Sequence, residues 1–194
     1  MEAVMSQQKQ ELRDKILAKL LSLTKEELKR RSENVEKILS ELPLYRKAKL
    51  IMAYYPLRGE VDLRKMIGKG FDCKRFCFPV MDLKKKDLRV FEANNLEGDF
   101  ILGAFGVWQP DPTKAKEIDP KEIDLVIVPG LAFDLKRSRL GRGAGFYDRF
   151  LKRIKSPTQT FGVGFEFQIL KNLPTHLPFD EKVDFVVSEK SVIQ

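Results

Sequence analysis

The order of predicted elements in this chain of 194 residues indicates an α/β domain with three layers and a mainly parallel central sheet. Two helical segments come first, and strands that alternate with helices follow, with one hairpin inserted among them. A further observation is the continuous apolar run at residues 125–128, which is rich in β-branched side chains. Such a run is typical of a strand that is buried on both faces of a sheet.

The first two segments are predicted to be helices. Over residues 7–22, apolar side chains recur at helical spacing, and Lys9 and Arg13 lie four positions apart, so they project from one face. From the residues alone, this pair is either two solvated cations or part of an anion site. A capping box at residues 24–27 starts the second helix, which ends before Pro43.

Strand patterns follow the helices, and the prediction places strands at residues 49–55, 75–80, 88–92, 125–128, 159–165 and 183–188. The second and third of these form a hairpin around a charged turn. Glycines and prolines make residues 100–112 irregular, and a short helical turn is expected at 166–170. His176, the only histidine, is expected on an exposed turn, so a histidine-dependent hydrolase has little support.

Some residues near the predicted strand ends are candidate ligand contacts. Ligands of α/β sheets lie at the carboxyl ends of the strands, which places Tyr55 and Glu60 in a candidate site. Glu60 also precedes a short predicted helix, where its charge can simply favour the helix dipole. Trp108, the only tryptophan, either packs in the core or stacks on a flat heterocycle.

The segment after the strand at 125–128 carries a glycine at every second position, at Gly141, Gly143 and Gly145. Glycines let backbone N–H groups approach an oxyanion closely, and the first turn of the helix that follows offers unpaired N–H donors. The loop lacks the Lys-Ser/Thr of a Walker loop and the third glycine of the dinucleotide fingerprint. It is therefore either a phosphate-binding loop or a tight structural turn.

Composition limits the function classes. Hydrophobic residues make up 43% of the chain and no apolar run could span a bilayer, so we expect a soluble protein with one domain over residues 1–194. The N-terminus lacks the apolar stretch of a secretory signal. Cys73 and Cys77 are interpreted as buried thiols rather than metal ligands. We therefore expect a monomer in the reducing cytoplasm with no membrane partner.

The net charge of +8 has two interpretations. One is a solvated, lysine-rich surface, since Lys and Glu enrichment also occurs in heat-adapted proteins. The other is a polyanionic ligand, either a small molecule or nucleic acid. The basic residues are spread along the chain and no nucleic-acid motif is visible, so we expect small anions rather than nucleic acid.

Residues 129–134 (PGLAFD) and 139–148 (RLGRGAGFYD) closely resemble the signature of the 5-formyltetrahydrofolate cyclo-ligase family, also called 5,10-methenyltetrahydrofolate synthetases. The family segment usually reads P-G-(L/V)-(A/G)-F-D, a short gap, then R-L-G-x-G-x-G-Y-Y-D. This chain departs at Phe146, where Tyr is common, and at Ala144, where Gly or Lys is often found. The resemblance is strong at residues 124–151 and thinner over the rest of the chain.

The resemblance implies ATP, Mg²⁺ and a reduced folate as ligands, and it assigns roles to particular residues. Lys9 and Arg13 match the Lys-x-x-x-Arg pair that reaches the ATP phosphates, and Asp148 and Asp180 match the magnesium ligands. Tyr55, Glu60 and Trp108 are assigned to the folate pocket, and Arg142 and Tyr147 to catalysis. The remaining ATP contacts are assigned to Arg139, Leu140, Gly141, Gly143, Ala144, Gly145 and Phe146.

The implied reaction is ATP-dependent closure of 5-formyltetrahydrofolate to 5,10-methenyltetrahydrofolate through a phosphorylated formyl intermediate. The implied architecture is related to the sugar-phosphate isomerase and CoA-transferase-like sheets. Within the site we expect Arg142 to face ATP and Glu60, on a distant strand end, to face the pterin. Two alternatives stay open, namely a diverged phosphate-binding isomerase or transferase on the same sheet and a basic nucleotide-binding module.

Overall fold

A computed structural model describes residues 2–174 and 180–194. The helices of the described residues are α1 (Glu2–Leu21), α2 (Lys25–Glu41), α3 (Pro43–Lys47), α4 (Arg64–Gly70) and α5 (Phe146–Leu151). The strands are β1 (Leu50–Met52), β2 (Arg75–Asp82), β3 (Asp87–Ala93), β4 (Phe100–Leu102), β5 (Trp108–Pro110), β6 (Leu125–Pro129), β7 (Ala132–Asp134), β8 (Arg139–Leu140), β9 (Gln159–Val163), β10 (Ile169–Leu170), β11 (Phe185–Val187) and β12 (Val192–Ile193). His176 and residues 178–179, where a turn was predicted, lie outside the described residues.

The central sheet has seven strands in the order β12-β11-β9-β6-β1-β2-β3. The five inner strands run parallel, and an antiparallel strand closes each edge, β3 beside β2 and β12 beside β11. The prediction of an α/β fold with a large, mainly parallel sheet is therefore confirmed. The finer comparison with sugar-phosphate isomerase and CoA-transferase-like sheets, and the single domain over residues 1–194, stay predictions.

The sheet is covered on both faces, as its strands require. Alternate residues of β1 and β6 point to opposite sides, with Ile51 and Ile127 in one core and Met52 and Val128 in the other. The first core includes buried residues of α1, α2 and α4, and the second includes those of α5. This double burial explains why β6 reads as an unbroken apolar run.

The N-terminal helices form as the sequence predicts, with two differences. Thr24 caps α2 by accepting a hydrogen bond from the Glu27 amide at 3.1 Å, but the Glu27 carboxylate binds Arg31 instead of completing the capping box. Pro43 does not only end α2, because it also occupies the first turn of α3. Proline is compatible with that position since its missing N–H would have no partner in a first helical turn.

The structure differs from the sequence patterns in several other places. Residues 100–112 are not irregular throughout, because β4 and β5 pair as a small antiparallel sheet. A three-stranded sheet, β10-β7-β8, was not predicted, and neither was β12. The helix after the glycine loop ends at Leu151, although its apolar spacing continues to Ile154. Strand β1 has three residues where seven were predicted, although the Ala53 amide still bonds to the Cys77 carbonyl.

Within the described residues, no helix combines the length and the apolar character that crossing a membrane requires.

Candidate functional site

A cleft of about 400 Å³ lies beyond the carboxyl ends of β1 and β6. Its walls come from the segments after these strands, from the β2–β3 and β4–β5 hairpins, and from the glycine loop with the start of α5. Most of the predicted site residues share this cleft, namely Tyr55, Glu60, Trp108, Arg139, Gly141, Arg142, Ala144, Gly145, Phe146, Tyr147 and Asp148. The site therefore lies at the sheet edge where α/β folds bind ligands.

The glycine loop needs its glycines for backbone conformation. Gly143 has φ +105° and Gly145 has φ +69°, a region that side chains with a Cβ rarely adopt. Gly145 is also the N-cap of α5 and, as a glycine, it has no side chain that could cap the helix. Because α5 has only six residues, its dipole is not by itself evidence for an anion site.

Leu140 differs from the other predicted loop contacts. Its side chain is buried in the core, and its carbonyl oxygen accepts a hydrogen bond from the Leu131 amide at 2.8 Å. It pairs with Ala132 across β7 and β8. Leu140 therefore fixes the start of the glycine loop to the core, and its side chain does not line the cleft.

Helix α1 packs against the glycine loop and brings both predicted cations to the site. The Arg13 Nε atom donates to the Gly141 carbonyl oxygen at 3.0 Å. The Lys9 Nζ atom pairs with Asp180 Oδ2 at 2.5 Å. The four-residue spacing of Lys9 and Arg13 thus places both on one side of α1, where each bonds to another part of the protein, and their contact with an anion stays a prediction.

Arg139 forms the most deeply buried ion pair of the cleft. Its Nη2 atom lies 2.8 Å from Asp148 Oδ1, and the two side chains are 4% and 18% exposed. Its Nη1 atom donates to the Pro129 carbonyl oxygen at 3.3 Å, and the guanidinium lies 5.5 Å from the centre of the Tyr147 ring. The Nε atom is buried and has no hydrogen-bond partner among the described residues.

Arg142 and Glu60 contact each other, so the expectation that they lie far apart is wrong. The Nη2 and Nε atoms of Arg142 lie 2.9 Å and 3.1 Å from Glu60 Oε1. Glu60 also accepts the Leu57 amide at 2.9 Å through Oε2, which holds its carboxylate at the cleft. The loop after β1 therefore reaches the glycine loop, and these two residues act on one region of the site.

The Tyr147 hydroxyl is buried and has no hydrogen-bond partner among the described residues. Burial, together with the nearby carboxylate of Glu60, raises the pKa of Tyr147 well above its ordinary value. The hydroxyl is therefore a proton-bearing donor at neutral pH. A buried donor without a partner costs free energy, and a ligand acceptor placed in the cleft would remove that cost.

The opposite wall of the cleft is aromatic. The rings of Tyr55 and Trp108 are 6.2 Å apart, and Tyr55 also lies 5.4 Å from Phe100. Trp108 is 45% exposed, so the interpretation as a core residue is wrong. The Arg64 guanidinium lies over the Tyr55 ring and donates to its hydroxyl at 3.1 Å, which fixes the ring orientation.

Asp148 lies near the chain segment that contains Asp180, and the metal role of the two acids stays a prediction. The Glu181 amide, next to Asp180 in the chain, donates to Asp148 Oδ1 at 3.4 Å. Among the described residues, no group of three or more metal-ligating side chains is present. Two carboxylates nevertheless fit Mg²⁺ bound with nucleotide phosphates, because this ion usually takes one or two carboxylates and completes its shell with phosphate oxygens and water.

Several cleft residues were missed from the sequence. Met81 and Leu88 come from the β2–β3 hairpin, and Phe105 and Val107 from the β4–β5 hairpin. Nothing in their local pattern distinguishes them from core residues or surface residues. Only the packing of the two hairpins against the glycine loop shows that these residues share a cleft.

A parallel sheet with a glycine loop, arginines and acids at its carboxyl edge is an arrangement typical of α/β proteins that bind phosphate-bearing ligands. A sequence model of the 5-formyltetrahydrofolate cyclo-ligase family matches residues 5–189, and the chain belongs to this family. The 5,10-methenyltetrahydrofolate synthetase of Aquifex aeolicus, solved by NMR, superposes with a TM-score of 0.83 at 36% identity, over 96% of this chain and 92% of that one.

Relatives with the same description come from distant organisms. The 5-formyltetrahydrofolate cyclo-ligase of Haemophilus influenzae is 28% identical over 172 residues, which cover 88% of this chain and 92% of that relative. The mitochondrial cyclo-ligase of Arabidopsis thaliana is also 28% identical, over 186 residues that cover 83% of this chain and 66% of the longer plant protein. The family resemblance read from the glycine-loop signature is therefore confirmed.

Proposed function

We propose that this protein catalyses the ATP-dependent cyclisation of 5-formyltetrahydrofolate to 5,10-methenyltetrahydrofolate, with release of ADP and phosphate. The observation that carries the proposal is a cleft lined by the glycine loop and Asp148 in a chain of the cyclo-ligase family, with Arg13 of α1 bonded to that loop and Lys9 of the same helix paired with Asp180. Such a cleft suits the two tasks of the reaction, which are to hold triphosphate and to orient a flat folate ring.

The proposed chemistry begins with a poor leaving group, the oxygen of the formyl amide. The γ-phosphoryl group of ATP is transferred to this oxygen, and the folate nitrogen at position 10 then attacks the formyl carbon. The carbon–oxygen bond breaks, phosphate leaves and the ring closes. Phosphoryl transfer of this kind depends on positioning and charge neutralisation more than on covalent participation by the protein.

The glycine loop and α1 form the phosphate side of the proposed site. The backbone amides of the loop would bind phosphate oxygens, and Lys9 and Arg13 would supply positive charge from the helix. Arg139 forms an ion pair with Asp148. Asp148 and Asp180 would hold Mg²⁺, which when bound neutralises charge on the phosphate oxygens.

The aromatic wall forms the folate side of the proposed site. Tyr55 and Trp108 offer ring faces to a flat heterocycle, and the protonated Tyr147 hydroxyl offers a donor. Glu60 is an acceptor for the N–H groups of the pterin, while Arg142 beside it can reach either the phosphates or the formyl oxygen. Their contact supports a boundary between the two proposed ligands near this pair.

We also propose that the protein acts as a monomer in the cytoplasm, on a small-molecule substrate and without nucleic-acid or membrane partners. Many of its surface arginines are engaged in ion pairs, such as Arg75 with Glu92 and Arg89 with Glu117. Each such pair is locally neutral, so these arginines do not form a basic surface patch of the kind that binds a polyanionic polymer.

The proposal is tested with purified protein, Mg-ATP and 5-formyltetrahydrofolate, following the near-ultraviolet absorbance of the methenyl product together with ADP. We expect ADP only when the folate is present. A phosphate-binding isomerase or transferase would form no ADP, and a nucleotide-binding module would bind ATP without product. Either result, with an active cyclo-ligase as control, would reject the proposal.

A matched pair of variants on α1 tests the phosphate side. Lys9→Ala removes a cation that faces the site, whereas Lys15→Ala removes an exposed cation of the same helix. Loss of a charge-assisted contact costs about 1.5–3 kcal/mol, so Lys9→Ala should weaken ATP binding roughly tenfold or more. Equal affinities of the two variants would remove Lys9 from the site.

A further inference from the structure

The β4–β5 hairpin carries an exposed aromatic side chain at the rim of the cleft. Phe105 is 73% exposed, although phenylalanine is among the residues most often buried. It nevertheless lines the cleft together with Val107 and Trp108. Leu102, paired with Trp108 across the hairpin, is exposed as well, so the tip presents an apolar surface next to the site.

The backbone of the tip holds Phe105 in an uncommon conformation. Phe105 has φ +56° and ψ +21°, in the left-handed region, and Gly106 follows at φ +72°. Two hydrogen bonds close the turn, from the Gly103 amide to the Val107 carbonyl at 2.8 Å and from the Val107 amide to the Ala104 carbonyl at 3.2 Å. A bulky residue in this region is strained, and such residues cluster at ligand contacts.

The base of the hairpin is anchored, in contrast to its tip. The Phe100 ring packs edge to face on Phe78 at 4.9 Å and lies 5.4 Å from Tyr55. Under the tip, the Gln109 side chain is buried and its Oε1 atom has no hydrogen-bond partner among the described residues. A firm base beneath a strained tip with an unpaired acceptor suits a turn that adjusts to a bound ligand.

We propose that Phe105 is a positioning residue that packs over the folate ring and excludes water from the activated formyl carbon. The inference rests on the proposed cyclisation. The occupant is a flat heterocycle because the rest of the wall is suited to one, with Tyr55 and Trp108 on one side and Phe146 on the other. When the exposed Phe105 ring is buried against this ligand, the loss of exposed apolar surface favours the strained conformation of the tip.

Water exclusion matters because two nucleophiles can attack the same carbon. After phosphoryl transfer, attack by nitrogen 10 breaks the carbon–oxygen bond, expels phosphate and loses the nitrogen proton. Attack by water forms a new carbon–oxygen bond, expels phosphate and restores the 5-formyl compound after loss of protons. The second route consumes ATP without product, so a covered carbon keeps phosphate release and methenyl formation equimolar.

The test compares Phe105→Ala with Leu135→Ala, which removes a side chain of 57% exposure from the turn between β7 and β8. For both variants and the unmodified protein, phosphate and methenyl product are measured together. Phe105→Ala should release more phosphate than product and raise the folate KM on the order of tenfold. Leu135→Ala should match the unmodified protein, and Phe105→Leu should fall between Phe105→Ala and the unmodified protein.

Trp108, the only tryptophan, provides a second measurement. Bound folate should protect its fluorescence from acrylamide quenching in the unmodified protein and protect it less in Phe105→Ala. If Phe105→Ala keeps an equimolar ratio, the original KM and full protection, the inference is overturned. An inactive unmodified protein would instead reject the proposed function, so the two failures are distinguishable.

Discussion

Replacing Asp148 by Asn tests the ion pair at the centre of the site. The Asp148 carboxylate faces the buried Arg139 guanidinium at 2.8 Å. The change keeps the shape of the side chain but removes its charge, so it weakens the proposed magnesium site and also leaves the buried Arg139 cation without its counter-ion. A loss of stability should therefore accompany the loss of activity.

The size of the stability loss follows from the burial of the pair. Removing one partner of a buried ion pair costs about 3–5 kcal/mol, and both side chains are under a fifth exposed, at 4% and 18%. The Asn side chain keeps one oxygen that can accept a hydrogen bond from Arg139, and this bond reduces the stability loss by about 1 kcal/mol. The free energy of unfolding should thus fall by about 3 kcal/mol, or roughly 6–12 °C in melting temperature for a chain of this size.

Urea unfolding of the unliganded protein measures the stability change, and turnover at limiting and saturating magnesium measures the activity change. We expect Asp148→Asn to be less stable at every magnesium concentration and to regain part of its activity as magnesium rises. Adding Arg139→Met should restore most of the stability without restoring activity, since a neutral buried pair has no unpaired charge. Unchanged stability and activity in Asp148→Asn would refute both roles.

Three further predictions concern the glycine loop and a buried tyrosine. Arg142→Ala and Glu60→Gln should each weaken both ATP and folate binding, with coupling of only about 0.2–1 kcal/mol in a double-mutant cycle, because Arg142 is 38% exposed. Gly145→Ala should destabilise by about 1–2 kcal/mol in thermal unfolding, since φ is +69°. Burial raises the pKa of Tyr45 to about 12, so stability falls as the pH rises above 10, and Tyr45→Phe should flatten the fall, which totals about 3 kcal/mol.

Each of these predictions has a contradicting outcome. If calorimetry shows that the Arg142 variant loses only ATP and the Glu60 variant only folate, the two residues belong to separate regions of the site. A Gly145→Ala protein as stable as the original would show that the loop can change its backbone. For Tyr45→Phe, the control is stability near neutral pH, and an unfolding free energy that falls above pH 10 as steeply as in the original protein would exclude a raised pKa.

Several strands of the central sheet could be predicted because each carries a recognisable pattern in its own short stretch of sequence. Strand β6 is an apolar run that is buried on both faces, and the β2–β3 hairpin is two apolar runs around a charged turn. Strands β8 and β10 have two residues each, which is too short for any periodicity, so their sheet could not be predicted. The pairing of β7 with both depends on the fold of the whole chain.

The candidate site was predictable only as a set of positions. The glycine loop and the four-residue spacing of Lys9 and Arg13 were assigned to the site through the family resemblance, because the residues alone left a structural turn and two solvated cations open. The contact of Arg142 with Glu60 joins residues 82 positions apart, and no local pattern encodes it. Phe105 is a lone aromatic among glycines in the sequence, and only its exposure and backbone angles distinguish it.

The ion pairs of the site suggest how its charges are used. Two cations of the cleft already face an acid, in Arg139–Asp148 and Arg142–Glu60, and Lys9 on α1 is likewise paired with Asp180. These pairs keep the side chains in place without a ligand and limit repulsion among the cations. Under the proposed function, nucleotide phosphates would pair with the cations and the acids would hold the divalent ion, so that charge would be exchanged rather than newly desolvated. Helix α1 connects two parts of this region, because Arg13 bonds to the glycine loop and Lys9 pairs with Asp180.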